Sequence, residues 1–325
     1  MSYVLVAAGL VFLLIGGEVL VRGTVSLAER MGVSKLIIGL TIVSVGTSAP
    51  ELFVCVKAAI SGAPGIALGN VVGSNIANIL LVLGLPAVIY PIVCDTRSMR
   101  RDGSTMILAT VFFLILCWMG ALSVLQGAVL LFLLIAFLSY SYRRARRSGA
   151  AAVAAATEEI EQHMPQSPWV SLLFIVIGIA ALVAGSRFLV DGATEIARSM
   201  GVSDEVIGIT LIAVGTSLPE VVTGVVAAIR HHGDVAVGNA IGSNLFNILG
   251  IMGATAIVAP IPVTDKVLNF DLWIMLLCAV LVIPFALRDK PIGRITGAFF
   301  LIAYSMYLSA QFHGMSGVQA MALAG

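Results

Sequence analysis

The chain has 325 residues, of which 59% are hydrophobic and 11% are charged, and its formal net charge is +1. Mean hydropathy is +1.07, and a composition this apolar lies outside the range of soluble globular domains. These values predict an integral membrane protein with little room for an aqueous domain. The near-neutral charge excludes nucleic acid as a partner, because recognition of nucleic acid needs a basic surface.

Apolar segments of roughly 20 residues, the length that crosses a bilayer as a helix, recur along almost the whole chain. We predict an all-α membrane protein with ten transmembrane helices, near residues 3–22, 35–60, 66–91, 104–121, 123–141, 168–190, 204–230, 235–259, 268–287 and 291–312. Residues 142–167 are basic, then alanine-rich, then acidic, which predicts an exposed linker with room for a short helix. It separates two halves of five helices, 1–141 and 168–312, and residues 313–325 form a short tail.

The distribution of basic residues between the loops predicts the orientation of the chain in the membrane. One side has Arg97, Arg100, Arg101, Arg143, Arg144, Arg146, Arg147, Arg230, Arg288, Lys290 and Arg294. The other side has little besides Arg187, Arg198 and Lys266. By the positive-inside rule the first side is cytoplasmic, so both termini are expected on the non-cytoplasmic side.

An internal repeat appears when the chain is shifted against itself by 169 residues, without gaps. MGVSKLIIGLTIVSVGTSAPE (31–51) aligns with MGVSDEVIGITLIAVGTSLPE (200–220), and GNVVGSNIANILLVLG (69–84) aligns with GNAIGSNLFNILGIMG (238–253). Because each half has an odd number of predicted helices, the second copy enters the membrane from the opposite side. The sequence therefore predicts two inverted-topology repeats, an arrangement that suits alternating access.

Polar residues recur inside the apolar spans of both repeats at spacings of three and four, which put them on one face of a helix. The second predicted helix has Ser44, Thr47, Ser48 and Glu51, and the seventh has Ala213, Thr216, Ser217 and Glu220. The third has Asn70, Ser74 and Asn78, and the eighth has Asn239, Ser243 and Asn247. These stripes place oxygen atoms near the middle of the bilayer.

The two glutamates need a positive partner, since a charge at the bilayer centre costs about 2.5–3.5 kcal/mol on insertion scales. No lysine or arginine lies in the middle of these four spans. Pro50 and Pro219 lack an N–H, so the carbonyls of Gly46 and Gly215 lose their helical partners and add further oxygens. Carboxylate, hydroxyl, amide and carbonyl oxygens predict a hard-cation site, with Ca²⁺ ranked first, although Mn²⁺, Na⁺ ions or protons fit the same groups.

The paired GTSxPE and GNxxGSNxxN segments resemble the two alpha-repeats of the calcium/cation antiporter superfamily, sodium/calcium exchanger branch, here residues 39–84 and 208–253. The resemblance implies ten helices in two inverted halves, a bacterial inner-membrane location, and exchange of Ca²⁺ against Na⁺. Both ions are then transported substrates, and no resident cofactor is expected. Membrane lipid is the expected surrounding, and we expect the monomer to be the functional unit and the protein to be a transporter rather than an enzyme.

The same resemblance assigns roles to the polar positions. It implies Ca²⁺ ligands at Glu51, Glu220, Thr47 and Thr216, Na⁺ ligands at Ser48, Ser74, Ser217 and Ser243, backbone carbonyl ligands at Ser44 and Ala213, and central amides at Asn78 and Asn247. Potassium-dependent members have an acid at the position of Asn247, so K⁺ transport is not expected. Proton-coupled calcium exchangers usually have GNxxE in place of GTSxPE, which favours Na⁺. A proton-coupled antiporter of Ca²⁺ or another divalent cation, and a cation channel, stay open as alternatives.

Overall fold

The computed structural model describes residues 1–93, 95–152, 167–200, 213–288 and 291–324, with side chains left aside at 145–152, 213–214, 288 and 312–324. Parts of five predictions lie outside the described residues. These are residues 153–166 of the linker, 204–212 of the predicted seventh helix, 208–212 of the second repeat motif, Lys290 of the basic side and residue 325 of the tail.

The described residues are mostly helical. Among them, two isolated antiparallel β-bridges join Ile92 to Ile292 and Leu122 to Ile261. In chain order the helices are α1 Ser2–Met31, α2 Lys35–Ile38, α3 Ser44–Thr47, α4 Ala49–Ile60, α5 Pro64–Leu80, α6 Gly84–Ile89, α7 Thr96–Trp118, α8 Val124–Ala152, α9 Pro168–Ser199, α10 Ala213–Thr216, α11 Leu218–Ile229, α12 Gly233–Leu245, α13 Met252–Val258, α14 Leu272–Val280, α15 Ile283–Arg288 and α16 Arg294–Ala324. Three π-helical turns, Gly39–Val43, Phe246–Ile251 and Val267–Asp271, join α2 to α3, join α12 to α13, and precede α14.

Seven helices in the described part of the chain are long and apolar enough to cross a membrane, and a bent pair, Lys35–Thr47 with Ala49–Ile60, makes an eighth. The predicted seventh span contributes the shorter apolar helix Leu218–Ile229, and the predicted tenth overlaps Arg294–Ala324. The prediction of an all-helical membrane protein is confirmed, while the number of ten spans stays a prediction.

Several helices extend beyond their predicted ends. Helix α8 continues to Ala152, into the predicted linker, and α16 continues to Ala324, through the predicted tail. Both extensions contain several alanines and lack proline, the strongest helix breaker, although each also contains glycine. Helix α1 runs to Met31 and ends where Gly32 adopts φ 62°, the left-handed conformation that glycine adopts without strain.

The first helices of the two halves pack side by side in opposite directions. A Cβ atom at Gly9 would lie 2.8 Å from the carbonyl oxygen of Gly185, and one at Gly16 would lie 3.1 Å from that of Gly178. As the residue number rises along α1 it falls along α9, so the two helices are antiparallel. Small residues at these positions let the backbones approach closely.

The centre of the molecule is formed by the helices that contain the asparagine and serine stripes. Their apolar windows, in Pro64–Ile89 and Gly233–Val258, are 72% and 78% buried, whereas those of α1 and α9 are each 33% buried. Helix α12 packs directly on the π-helical turn Gly39–Val43, because Gly238 and Gly242 leave no side chain between the backbones. The polar stripes therefore lie in the core rather than against lipid.

Candidate cation site

The two GTSxPE segments break their helices at matching serines. Ser48 has φ −86° and ψ 9° between α3 and α4, and Ser217 has φ −89° and ψ 2° between α10 and α11. The helical segments before and after Ser48 meet at 44°. The prolines that follow, Pro50 and Pro219, occupy the first turn of the next helix, where a missing N–H is tolerated. The identical local sequence thus produces the same break twice.

Each break places a glutamate in the first turn of the following helix. Glu51 is 2% exposed and Glu220 is 1% exposed. The partial positive charge of a helix N-terminus favours a carboxylate at this position, but a dipole alone does not offset the cost of burying two charges. In the part of the chain that the structure describes, no ion pair joins either carboxylate to a lysine or arginine.

Residues from the two halves meet at this point. The hydroxyl of Ser48 donates to Glu220 Oε1 over 3.0 Å, so a predicted Na⁺ ligand of the first repeat contacts the acid of the second. Glu51 and Glu220 are close enough for their charges to interact. The structure therefore brings the two predicted acids into one site.

Several oxygens of this site have no hydrogen-bond partner. Seven buried side-chain oxygens lack one in the described residues, and four of them belong to predicted ligands: Glu51 Oε2, Glu220 Oε2, Ser243 Oγ and Asn247 Oδ1. An unsatisfied buried polar group costs about 1–3 kcal/mol, and more when it is charged. Because these atoms are carboxylate, hydroxyl and amide oxygens, they are the ligands that hard cations such as Ca²⁺ prefer.

The central asparagines differ between the halves. Asn78 donates its Nδ2 to Asn244 Oδ1 over 3.1 Å, whereas Asn247 lies in the π-helical turn Phe246–Ile251. A π-helical turn inserts an extra residue into the helix and is frequent at functional sites. The sequence repeat predicts equal roles for the two residues, but their surroundings are different.

The remaining predicted ligands are placed as follows. Ser74 and Ser217 are buried, and Thr216 is half-buried. The carbonyl of Ser44 already accepts the N–H of Ser48 over 3.0 Å, so it is less free than the resemblance implies. Ala213 is the first residue of α10. The carbonyl of Gly215, which Pro219 frees from its helical partner, accepts a hydrogen bond from the Ser186 hydroxyl of α9.

Asn239 belongs to the eighth-helix stripe but is absent from the predicted ligand set, and the structure places it beside the site. Its Oδ1 accepts the hydroxyl of Thr47 over 3.3 Å, and its Nδ2 donates to the backbone oxygen of Glu220 over 3.5 Å. The matching Asn70 instead donates to the sulfur of Cys55 over 3.3 Å. Only contacts between the halves reveal this difference.

Substitution of Asn239 by alanine is expected to weaken Ca²⁺ binding about tenfold, because the Thr47 hydroxyl loses its acceptor on that residue of the other half, a hydrogen bond of about 1–1.5 kcal/mol, and keeps the Ser44 carbonyl of its own helix as an acceptor. The matched control is Asn70→Ala, at the equivalent position of the other half, which should change the affinity less than threefold. Isothermal titration of the purified variants measures both. Equal losses in the two variants would contradict the unequal roles that the structure assigns.

A buried set of candidate oxygen ligands at two broken helices, within an all-helical membrane protein, is typical of the class of membrane proteins that bind cations in their core. The family model described as "Sodium/calcium exchanger protein" matches residues 1–143 and 170–313, and the chain belongs to this family. The family resemblance predicted from the two motifs is thereby confirmed.

Individual relatives are similar over nearly their whole length. The chain is 35% identical to the putative antiporter CaxA of Alkalimonas amylolytica, over 94% of this chain and 96% of the relative. It is 33% identical to the inner membrane protein YrbG of Escherichia coli, over 94% and 95%. A solved structure of the sodium-calcium exchanger NCX_Mj, soaked with zero Na⁺ and Ca²⁺, matches with a TM-score of 0.83 and 32% identity, over 95% of this chain and 98% of that one.

Proposed function

We propose that this protein is a secondary active antiporter that exchanges Ca²⁺ for Na⁺ across the bacterial inner membrane. The observation that carries the proposal is the pair of buried glutamates, each with an oxygen that lacks a hydrogen-bond partner. Two carboxylates balance one divalent cation, and the neighbouring hydroxyl and amide oxygens supply further ligands toward the six to eight that Ca²⁺ takes. The similarity to the solved structure of the sodium-calcium exchanger NCX_Mj supports the choice of Na⁺ as the counter-ion.

The proposed mechanism is alternating access at this one site, in which Na⁺ ions and Ca²⁺ compete for shared oxygens. Two inverted halves, 1–141 and 168–312, would build the site, with both termini on the non-cytoplasmic side and the monomer as the functional unit. The antiparallel packing of α1 against α9 supports the inversion, because these are the first helices of the two halves. Inverted repeats are a common basis for alternating access in secondary transporters.

Proton coupling is the competing proposal, since two facing carboxylates without a cation are able to hold protons. The test is ⁴⁵Ca²⁺ uptake into proteoliposomes under an imposed Na⁺ gradient or an imposed pH gradient, each with the membrane potential clamped. We expect an outward Na⁺ gradient to drive uptake and a pH gradient alone to drive none. Uptake that is independent of Na⁺ and driven by pH would reject Na⁺ coupling in favour of protons.

A further inference from the structure

A cavity of about 160 Å³ lies between α4, α9 and the turn of α10. It reaches the ligand set directly, because Pro50, the neighbour of Glu51, and Thr216, a predicted ligand, are both in its wall. Thr216 is accordingly half-buried, whereas its counterpart Thr47 is 0% exposed. The cavity therefore leads from the surface of α9 to the predicted ligand Thr216.

The equivalent place in the first half is closed. The 169-residue repeat aligns Ser186 of the cavity wall with Gly17 of α1, and a Cβ atom at Gly17 would lie 2.9 Å from the Val222 side chain of α11. Helix α1 therefore packs directly on α11. The equivalent pair, α9 and α4, is separated by the cavity. Of these two equivalent places in the described part of the chain, the one beside α9 is open as far as a predicted ligand, Thr216.

Two charged residues stand in the cavity wall, Arg187 and Asp191, one turn apart on α9 and both exposed. Their spacing predicts a local ion pair, but none joins them among the residues that the structure describes. The aligned residues of α1 behave as predicted, since Glu18 pairs with Arg22 at 2.6 Å and also with Arg230 at 2.6 Å. Among the described residues, Asp191 therefore has no arginine within ion-pair distance.

We propose that Asp191 and Arg187 form the cation entrance of the site and set its preference for divalent ions. The inference rests on the proposed function, which supplies Ca²⁺ and Na⁺ as the ions that enter. A carboxylate at the mouth of a cavity whose wall is largely apolar, here Phe53, Val54, Val183 and Val190, raises the local concentration of cations, and a neighbouring guanidinium lowers it. The local concentration of an ion depends exponentially on its charge, so the enrichment of Ca²⁺ is the square of the enrichment of Na⁺.

Asp191→Asn is expected to raise the KM for Ca²⁺ about tenfold and that for Na⁺ about threefold, at the membrane face where the cavity opens, with kcat unchanged. Arg187→Gln should lower the KM for Ca²⁺ and the KM for Na⁺. High ionic strength should reduce the effects of both substitutions, because salt screens the charges at the cavity mouth. Transport by oriented proteoliposomes measures these constants. The matched control is Asp265→Asn, which removes an exposed charge outside the cavity and should change neither constant.

A second measurement separates this proposal from the proposed function. Val183 also lines the cavity, so Val183→Cys, in a variant whose four native cysteines are replaced by serine, reports the potential there without any transport. Cationic methanethiosulfonate reagents should modify it about tenfold faster than anionic ones, and adding Asp191→Asn should remove most of that ratio. If Asp191→Asn leaves the ratio of the two modification rates unchanged, the proposed entrance is overturned, even if the protein exchanges Ca²⁺ for Na⁺. If the ratio changes but no exchange is observed, only the proposed function is overturned.

Discussion

Glu51→Gln and Glu220→Gln are each expected to lower the affinity for Ca²⁺ at least ~10³-fold in isothermal titration of the purified protein. The amide keeps the shape of the carboxylate but removes one of the two charges that balance the divalent ion. In a buried site the effective dielectric constant is roughly 20, so a lost charge in contact with a divalent ion costs several kcal/mol. The hydroxyl and amide oxygens that remain are neutral and cannot replace that charge.

The same substitutions should not damage the fold. A buried carboxylate without a cation destabilises the protein that holds it, so each variant should unfold in detergent at the wild-type temperature or above it when Ca²⁺ is absent. Loss of binding together with retained stability separates a lost ligand from a misfolded protein. Undiminished Ca²⁺ binding in either variant would remove the basis of the proposed function.

The control for charge is Glu29→Gln. Glu29 lies near the end of α1 and pairs with Lys35 at 2.9 Å, with 38% of its side chain exposed. The substitution removes the same unit of charge outside the site, so the affinity for Ca²⁺ should stay within twofold of the wild-type value. A loss comparable to that of Glu51→Gln would mean that net charge, rather than ligation, controls binding.

Gly242→Val is expected to abolish transport and to lower stability by about 2–3 kcal/mol or more. A Cβ atom at this position would overlap the carbonyl oxygen of Leu40 and lie 2.6 Å from the hydroxyl of Ser44. The obstructing atom belongs to the backbone of a π-helical turn, so it cannot rotate away as a flexible side chain would. Helix α12 must then move away from the π-helical turn Gly39–Val43. This movement would separate Ser243 of α12 from the predicted ligands of the first half.

Thermal unfolding in detergent and Na⁺-driven Ca²⁺ uptake measure the two consequences. The control is Gly65→Val, since Gly65 is exposed near the start of α5 and a Cβ atom there has nothing within 4 Å in the described structure. This variant should fold and transport like the wild type. If Gly242→Val retained full transport, close contact between α12 and the turn would be unnecessary for the site.

The membrane class could be predicted from the sequence, and candidate ligands could be named, because both depend on local composition and spacing. Long apolar runs require helices in a bilayer, and a glutamate beside a proline at mid-span is costly unless it binds something. The repeat strengthened this inference, since two matching segments supply two carboxylates. The helix break at Ser48 and its copy at Ser217 likewise follow from the local sequence, because each proline removes the same hydrogen bond.

The helix ends and the asymmetry of the site depend on long-range contacts. The repeat treats Asn70 and Asn239 as equivalent, yet one contacts a cysteine of its own half and the other contacts Thr47 across the interface. In the same way Arg187 and Asp191 share the spacing of Glu18 and Arg22, but in the described part of the chain it is Glu18 that pairs with a distant arginine, Arg230 at the end of α11.

From the sequence alone follow the class of protein, the family, and the two acids with their oxygen-rich neighbours, because each is written in a short segment of the chain. The tertiary structure decided which oxygens lack partners, which asparagine contacts Thr47, and that a cavity opens beside Thr216. Two nearly identical segments acquire different neighbours when two halves pack against each other. That difference arises from contacts between residues far apart in the chain, which local spacing does not encode.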